Sequence, residues 1–380
     1  MNRIQRIIIL YPAEINSRRM SKPGNYSLSR LLLYLHERGD IPIYYLNKSS
    51  THEQYGNIEF IPFTWINFVR LAAKFAFARN TLVISQMGSY AYCARLLRAL
   101  MPGSRIVVRL GGVYYKQAYL DSAAFKSDYR KERRMVRSAD MVISTADGTP
   151  VDLYMSKVGI PPARYRKWLN GFPTIPNTEN VKRQNVIVCI SRLHRGKLID
   201  AVVRAFAMSL PRLHEQHRLK IVGDGEEKGN LEALVRELGI EGLVEFVGHS
   251  DDVGPHLYGS KLLVSGLTNN PVMEAIATGT PVVTAEWGEM RALYGAYPNV
   301  TVVDCPNLGF GPGPVADIDL LIRRTSQAIV GVLNAYPWDQ AKRKPDGGLI
   351  SWEQRILNEL ELCESLFSPL ALPAMEAAGG

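Results

Sequence analysis

Two cations five positions apart, Arg192 and Lys197, flank the turn in Cys189-Ile190-Ser191-Arg192-Leu193-His194-Arg195-Gly196-Lys197. A guanidinium presents a planar fork to phosphate oxygens and an ammonium a mobile point charge, so the pair can converge on a diphosphate. On an ordinary solvated loop the same two residues would be surface cations and nothing more. A second segment, Lys220-Ile221-Val222-Gly223-Asp224-Gly225, brackets a turn with Gly223 and Gly225, which permit tight backbone geometry and close ligand approach. The strand-then-glycine pattern recurs at Val244-Glu245-Phe246-Val247-Gly248-His249, where His249 either borders a base pocket or is a surface loop histidine. The third segment runs from Ser265 through Thr268, Asn269, Asn270 and Pro271 to Glu274. Asn270 suits a helix cap and Pro271 the first helical position, which directs open N–H groups and the positive end of the helix dipole at an anion. Glu274, one turn further on, is placed either to accept from a ribose hydroxyl pair or to complement the dipole.

These loops need strands to end where they begin. The apolar run Ile4 to Tyr11 reads as a strand, and Leu28, Leu31, Leu32 and Leu35 recur at helical spacing within Leu28 to Arg38. Further β-like runs are Ile41 to Leu46, Thr81 to Ser85, Arg105 to Leu110 and Met141 to Ser144, with helical patterns at Tyr90 to Met101 and Lys126 to Ser138. Composition breaks between Asn170 and Asn185. A second alternating series follows: strands at Val186 to Ile190, Leu219 to Val222, Leu243 to Val247, Leu262 to Val264 and Pro281 to Thr284, with helices over Leu198 to Met208, Leu231 to Leu238 and Val272 to Thr278. Strands alternating with helices predict an α/β fold, two Rossmann-like domains with parallel sheets facing each other across a cleft. The divisions expected are 1–177, 178–345 and a last piece, 346–380, comprising a helix over Trp352 to Phe367 and a frayed tail.

Bulk properties exclude some classes of function. With 380 residues, 46% of them hydrophobic, the chain can bury the cores of two domains. Cys93, Cys189, Cys305 and Cys363 are scattered, with neither a CxxC pair nor a histidine at metal spacing, so no metal site is expected. No apolar run is long enough to cross a bilayer and Met1 to Ile15 lacks a signal-peptide core, which reads as a cytoplasmic protein. The net charge of +9 is concentrated in the first half, at Arg18 and Arg19, Arg70 to Arg79, and Arg130 to Arg137. These cations are not interleaved with aromatic platforms, which argues against nucleic acid. Over residues 65–79, Asn67, Arg70 and Lys74 share one helical stripe while Trp65, Phe68, Ala72, Phe75 and Ala76 lie away from it. Such a helix either rests in an anionic membrane interface, at the inner face of the cell membrane, or packs on the sheet as a crossover helix.

In this order the pieces Ser-Arg-Leu with Gly-Lys at 191 to 197, Val-Gly-Asp-Gly at 222 to 225, Val-Glu-Phe-Val-Gly at 244 to 248 and Glu-Ala-Ile-Ala-Thr-Gly-Thr-Pro-Val-Val at 274 to 283 resemble the retaining GT-B glycosyltransferases of the family-four type. Asn170-Gly171 resembles the Asn-Gly that precedes the interdomain linker in that family. The resemblance implies a hexosyltransferase that needs neither metal nor cofactor. Its donor would be a nucleotide diphosphate sugar such as a UDP- or GDP-sugar, and its acceptor a carbohydrate or lipid-linked sugar, in bacterial polysaccharide or glycolipid synthesis. It assigns catalysis to Arg192 and Lys197, which would hold the diphosphate and stabilise its developing charge. Donor contacts fall to Gly24 in the loop Ser21 to Tyr26, to Gly223, Gly225, His249, Thr268, Asn269 and Asn270, and to Glu274 at the ribose. It also implies a last helix that crosses back to the first domain. Two positions depart from the pattern: Gly266 stands where a second glutamate usually lies, and Arg109-Leu110-Gly111-Gly112 where a His-Gly pair is common. Two other readings remain, a nucleotide-sugar epimerase of the same fold and a non-catalytic protein that binds sugar nucleotides or polyanions.

Overall fold

The structure, a computed structural model, describes residues 3–11, 27–48, 51–86, 91–113, 120–123, 125, 133–134, 136–146, 149–172, 182–267, 270–286, 289–308, 316–335 and 350–368. Gly24, Thr268 and Asn269 lie outside them, as does most of the helical pattern at 126–138.

The first eight strands are β1 (Arg6–Leu10), β2 (Ile43–Asn47), β3 (Glu53–Tyr55), β4 (Ile58–Pro62), β5 (Thr81–Gln86), β6 (Arg105–Leu110), β7 (Met141–Thr145) and β8 (Tyr165–Trp168). They form one sheet in the order β3-β4-β2-β1-β5-β6-β7-β8, parallel throughout except for the β3–β4 hairpin. Strands such as β1 and β5 are buried along nearly their whole length, because a parallel sheet is covered on both faces. That is why they read as continuous apolar runs and not as alternating ones. Helices α1 (Ser27–Arg38), α2 (Trp65–Lys74), α3 (Ala91–Leu100) and α4 (Val151–Val158) connect them. The expected helix over 65–79 is shorter: it ends at Lys74, and Phe77 and Asn80 take left-handed backbone at φ 65° and 56°. The chain must reverse there to enter β5, and the Phe77 N–H donates to the Leu100 carbonyl at 3.0 Å to fix the turn. Trp65 is half exposed, while Phe68, Leu71 and Ala72 form the packed face.

The second sheet contains β9 (Gln184–Ile190), β10 (Arg218–Val222), β11 (Val244–Gly248), β12 (Ser260–Ser265), β13 (Val282–Ala285) and β14 (Val300–Val303), all parallel, in the order β11-β10-β9-β12-β13-β14. Its helices are α5 (Ile199–Ser209), α6 (Lys228–Glu237), α7 (Gly254–Tyr258), α8 (Asn270–Ala277), α9 (Met290–Tyr294) and α10 (Ile318–Ala335). Both sheets are doubly wound, and each reverses direction of growth beside its first strand, between β1 and β5 and between β9 and β12. In such sheets the crevice opens beyond the carboxyl ends of the strands at that reversal.

The last helix, α11 (Trp352–Ser365), starts beside the second domain's connection, where Phe172 and Ser351 bridge, and packs Ile356, Leu360 and Cys363 onto the core of the first sheet. A buried ionic group fastens it. Glu359 Oε2 accepts from Arg109 Nη2 of β6 at 3.2 Å and from Arg355 Nη1 one turn earlier at 3.0 Å, and the Arg109 Nε lies 2.6 Å from Oε1 as an ion pair. Burial opposes the charge of Glu359, but the two guanidiniums more than offset that and hold its carboxyl below the ordinary range. Arg105 donates to the Leu366 carbonyl at 2.7 Å, and Arg355 to that of Leu169 at 3.1 Å. Removing one member of a buried pair strands the other charge, so Glu359→Gln should lower stability by roughly 3–5 kcal/mol at neutral pH, measured by urea unfolding. Because the folded-state pKa is depressed, this contribution is complete above about pH 4.3 and is lost as pH falls through the folded value. The wild-type protein should therefore lose stability more steeply than Glu359→Gln on acidification below about pH 4.

Candidate functional site

At the reversal of the second sheet, β9 and β12 lie side by side with their ends level, Leu263 opposite Val188. The loop leaving β9 holds Arg192 and Lys197; the loop leaving β12 holds Gly266 and leads to α8. They are packed backbone to backbone. Leu267 N–H donates to the Lys197 carbonyl at 3.4 Å, and the Lys197 ammonium donates back to the Leu267 carbonyl at 2.9 Å. A Cβ added at Gly266 would stand 2.4 Å from the Lys197 carbonyl oxygen. No side chain fits at position 266 without moving the 197–198 backbone, which explains in physical terms why no carboxylate stands there.

The β10 loop closes on the other side of Arg192. Ser191 N–H donates to the Val222 carbonyl at 3.0 Å, Leu193 N–H to that of Asp224 at 2.9 Å, and Glu227 N–H to that of Leu193 at 3.0 Å. Gly223 and Gly225 have φ of 137° and 155°, and their missing Cβ atoms would sit 1.9 Å from the Ser191 oxygen and 2.3 Å from the Leu193 oxygen. These glycines thus admit the 191–193 backbone, a closer neighbour than any ligand. Leu198, just after Lys197, is left-handed at φ 53°, ψ 40°, which costs a side-chain-bearing residue roughly 1 kcal/mol. Such local strain is held only where the surroundings determine it, and here it turns the chain sharply from the cationic loop into α5.

Asn270 is the first residue of α8, one position later than a cap, and Pro271 follows it. The Asn270 side-chain oxygen accepts from Asn170 at 2.8 Å, which ties the start of α8 to the end of the first domain. Glu274 is 5% exposed, one turn inside α8. The group opposite it is Arg30 of α1: burial lowers the pKa of this half-buried guanidinium and the charge of Glu274 partly restores it. A second link between the halves runs from Lys167 of β8 to Glu289 at 2.8 Å, with Asp152 at 2.5 Å. Arg192 is exposed at the mouth of the crevice. His249 stands apart, on the loop after the edge strand β11, exposed and 3.2 Å from Asp251. Arg109, at the strand end where the family resemblance puts a His-Gly pair, is turned into the buried group with Glu359.

Arg30 and Lys167 went unnoticed in the sequence. Arg30 lies on a polar stripe of an otherwise leucine-patterned helix, and nothing in a single chain places that stripe opposite Glu274.

Residues 184–304, about a third of the chain and the whole run from β9 to β14, match the model of the family described as glycosyl transferases group 1. Over this segment the chain is similar to the group 1 glycosyl transferases. Among curated relatives, the lipopolysaccharide core biosynthesis glycosyltransferase LpsE of Rhizobium meliloti is 38% identical over 103 residues, 26% of this chain and 29% of the relative. An uncharacterized glycosyltransferase of Haemophilus influenzae is 32% identical over 29% of this chain and 32% of its own length. The chain thus matches less than a third of the length of these relatives. Over nearly the full chain, the structure is similar to a glycosyltransferase from Rickettsia africae, with TM-score 0.70, 15% identity, and 97% and 100% of the two chains covered. It is also similar to Anabaena HepE in complex with UDP and glucose, with TM-score 0.63, 15% identity, and 94% and 99% covered. At such identities these likenesses show the fold, which is GT-B.

The packing of the loops after β9, β10 and β12 makes a direct prediction. Gly223→Ala and Gly266→Glu each force a carbon into a backbone oxygen, and each should destabilise the protein by about 2–3 kcal/mol or more in urea unfolding. Gly266→Glu should lower nucleotide affinity instead of supplying a useful carboxylate.

Proposed function

We propose that the protein transfers a hexose from a nucleotide diphosphate sugar to a hydroxyl acceptor, a carbohydrate or lipid-linked sugar, in bacterial polysaccharide or lipopolysaccharide assembly. The observation that carries this reading is the crevice between β9 and β12. There a cationic loop and the start of α8 approach each other, with a buried glutamate one helical turn inside. Arg192 and Lys197 bind the diphosphate, the open end of α8 adds its dipole, and Glu274 accepts from the ribose hydroxyls. In the transfer, the acceptor oxygen bonds to the anomeric carbon as the bond to the diphosphate breaks. The nucleoside diphosphate departs with the bonding pair, and the acceptor proton passes to a departing phosphate oxygen on the same face, so configuration is retained. No metal is needed, because the two cations take up the charge that develops on the leaving group. HepE, whose structure holds UDP and glucose, and the lipopolysaccharide galactosyltransferase WaaB, similar at TM-score 0.62, support a donor and product of this kind.

A thermal-shift panel of UDP, GDP, ADP and their sugars tests the donor. At one hundred times Kd the matching nucleotide should raise Tm by roughly 3–8 °C. Arg192→Ala with Lys197→Ala should weaken that nucleotide by at least about 30-fold and lower kcat by about 10²–10³-fold. A panel without any shift, or a double variant with wild-type affinity, would contradict the proposal.

A further inference from the structure

Among the described residues eight large apolar side chains are exposed, and seven of them lie between 65 and 100. They form one face where α2 and α3 adjoin. Trp65 and Tyr92 touch across the two helices with ring centroids 5.7 Å apart, and Ile66 and Val69 stand 64% and 59% exposed beside them. Phe77 is 84% exposed, yet its backbone is pinned in the left-handed region by the hydrogen bond to Leu100, so its ring is held outward. An aromatic residue fixed in that conformation with its side chain in water is unexplained by the packing of the first domain.

The surroundings of this face carry one sign of charge. From residue 60 to residue 120 the sequence has no aspartate or glutamate. Arg70, Lys74, Arg79 and Arg95 are exposed around the face, and the Lys74 ammonium lies 4.8 Å above the Tyr44 ring with its stem along apolar surface. Asp140, which Arg98 of α3 reaches, is paired with that arginine. A second copy of the chain docked on this face about a two-fold axis would set the cations against each other. Aromatic and aliphatic side chains ringed by cations match an interface of acyl chains below anionic headgroups.

We propose that the α2–α3 face of the first domain docks on an anionic lipid bilayer, with Trp65 and Phe77 inserted at headgroup depth and Arg70, Lys74, Arg79 and Arg95 against the phosphates. This deepens the expectation for residues 65–79 by adding α3, and it stands independently of the donor site. Each cation should raise affinity about fivefold at low salt, and added salt should screen that gain.

Flotation of the full chain with vesicles of phosphatidylcholine, alone or mixed with phosphatidylglycerol, tests the proposal without any nucleotide. Wild-type protein should float with the mixed vesicles only, and less as salt rises. Trp65→Ser with Phe77→Ser should reduce binding at least about tenfold, and Arg70→Glu with Lys74→Glu should abolish it, both with unchanged Tm and unchanged nucleotide-induced shift. Equal flotation on neutral vesicles, wild-type flotation of both variants, or conversion of a dimer to a monomer by Trp65→Ser with Phe77→Ser in sedimentation velocity would overturn it.

Discussion

Three backbones meet at the end of β9 with no room for a side chain between them. Gly223, Gly225 and Gly266 are the points of contact, and main-chain hydrogen bonds join the loops after β9, β10 and β12, with the Lys197 ammonium adding one to the Leu267 carbonyl. The consequence is electrostatic. Main-chain hydrogen bonds set most of the path of the 191–198 loop, His194 and Lys197 add side-chain contacts to Glu226 and to the Leu267 carbonyl, and Arg192 is exposed at the crevice. On the proposed function, cations held in this way need little rearrangement when an anion arrives. The absent carboxylate at Gly266 belongs to the same constraint: the close approach that fixes Lys197 is incompatible with a Cβ there.

The first domain is brought to this site by side chains. Asn170 reaches Asn270 at the start of α8, Lys167 reaches Glu289, and Arg30 faces Glu274. Among the described residues these links are polar side-chain contacts. The hydrophobic and ionic anchoring of α11, by contrast, puts a segment from the end of the chain permanently on the first sheet through Arg109, Glu359 and Arg355.

The parallel sheets and most strands were legible in the sequence because buried parallel strands read as unbroken apolar runs, as in Ile7 to Leu10 and Leu262 to Val264. β3, β4, β8 and β14 were not: the edge strands Glu53–Tyr55 and Tyr165–Trp168 carry no apolar pattern, and Ile58–Pro62 and Val300–Val303 are short runs beside polar turns. On the site, the three loops of the second domain were readable because glycine, proline and cation spacing is a local property. What escaped was everything that depends on two distant segments meeting: Arg30 against Glu274, the steric reason for Gly266, and the turning of Arg109 away from the cleft toward Glu359. The wheel placed Trp65 away from the stripe of Asn67, Arg70 and Lys74, in a helix that either met a membrane or packed on the sheet, and in the structure it is half exposed beside Tyr92.

Amide hydrogen exchange with and without a saturating nucleoside diphosphate addresses the central claim, that the β9–β12 crevice is an anion site built from main chain and two cations. Protection confined to residues 191–198 and the first turn of α8, with the loop after β11 unchanged, is the result expected. Uniform exchange in both states, or protection that falls at His249 and the β11 edge while 191–198 stays unaffected, would contradict it.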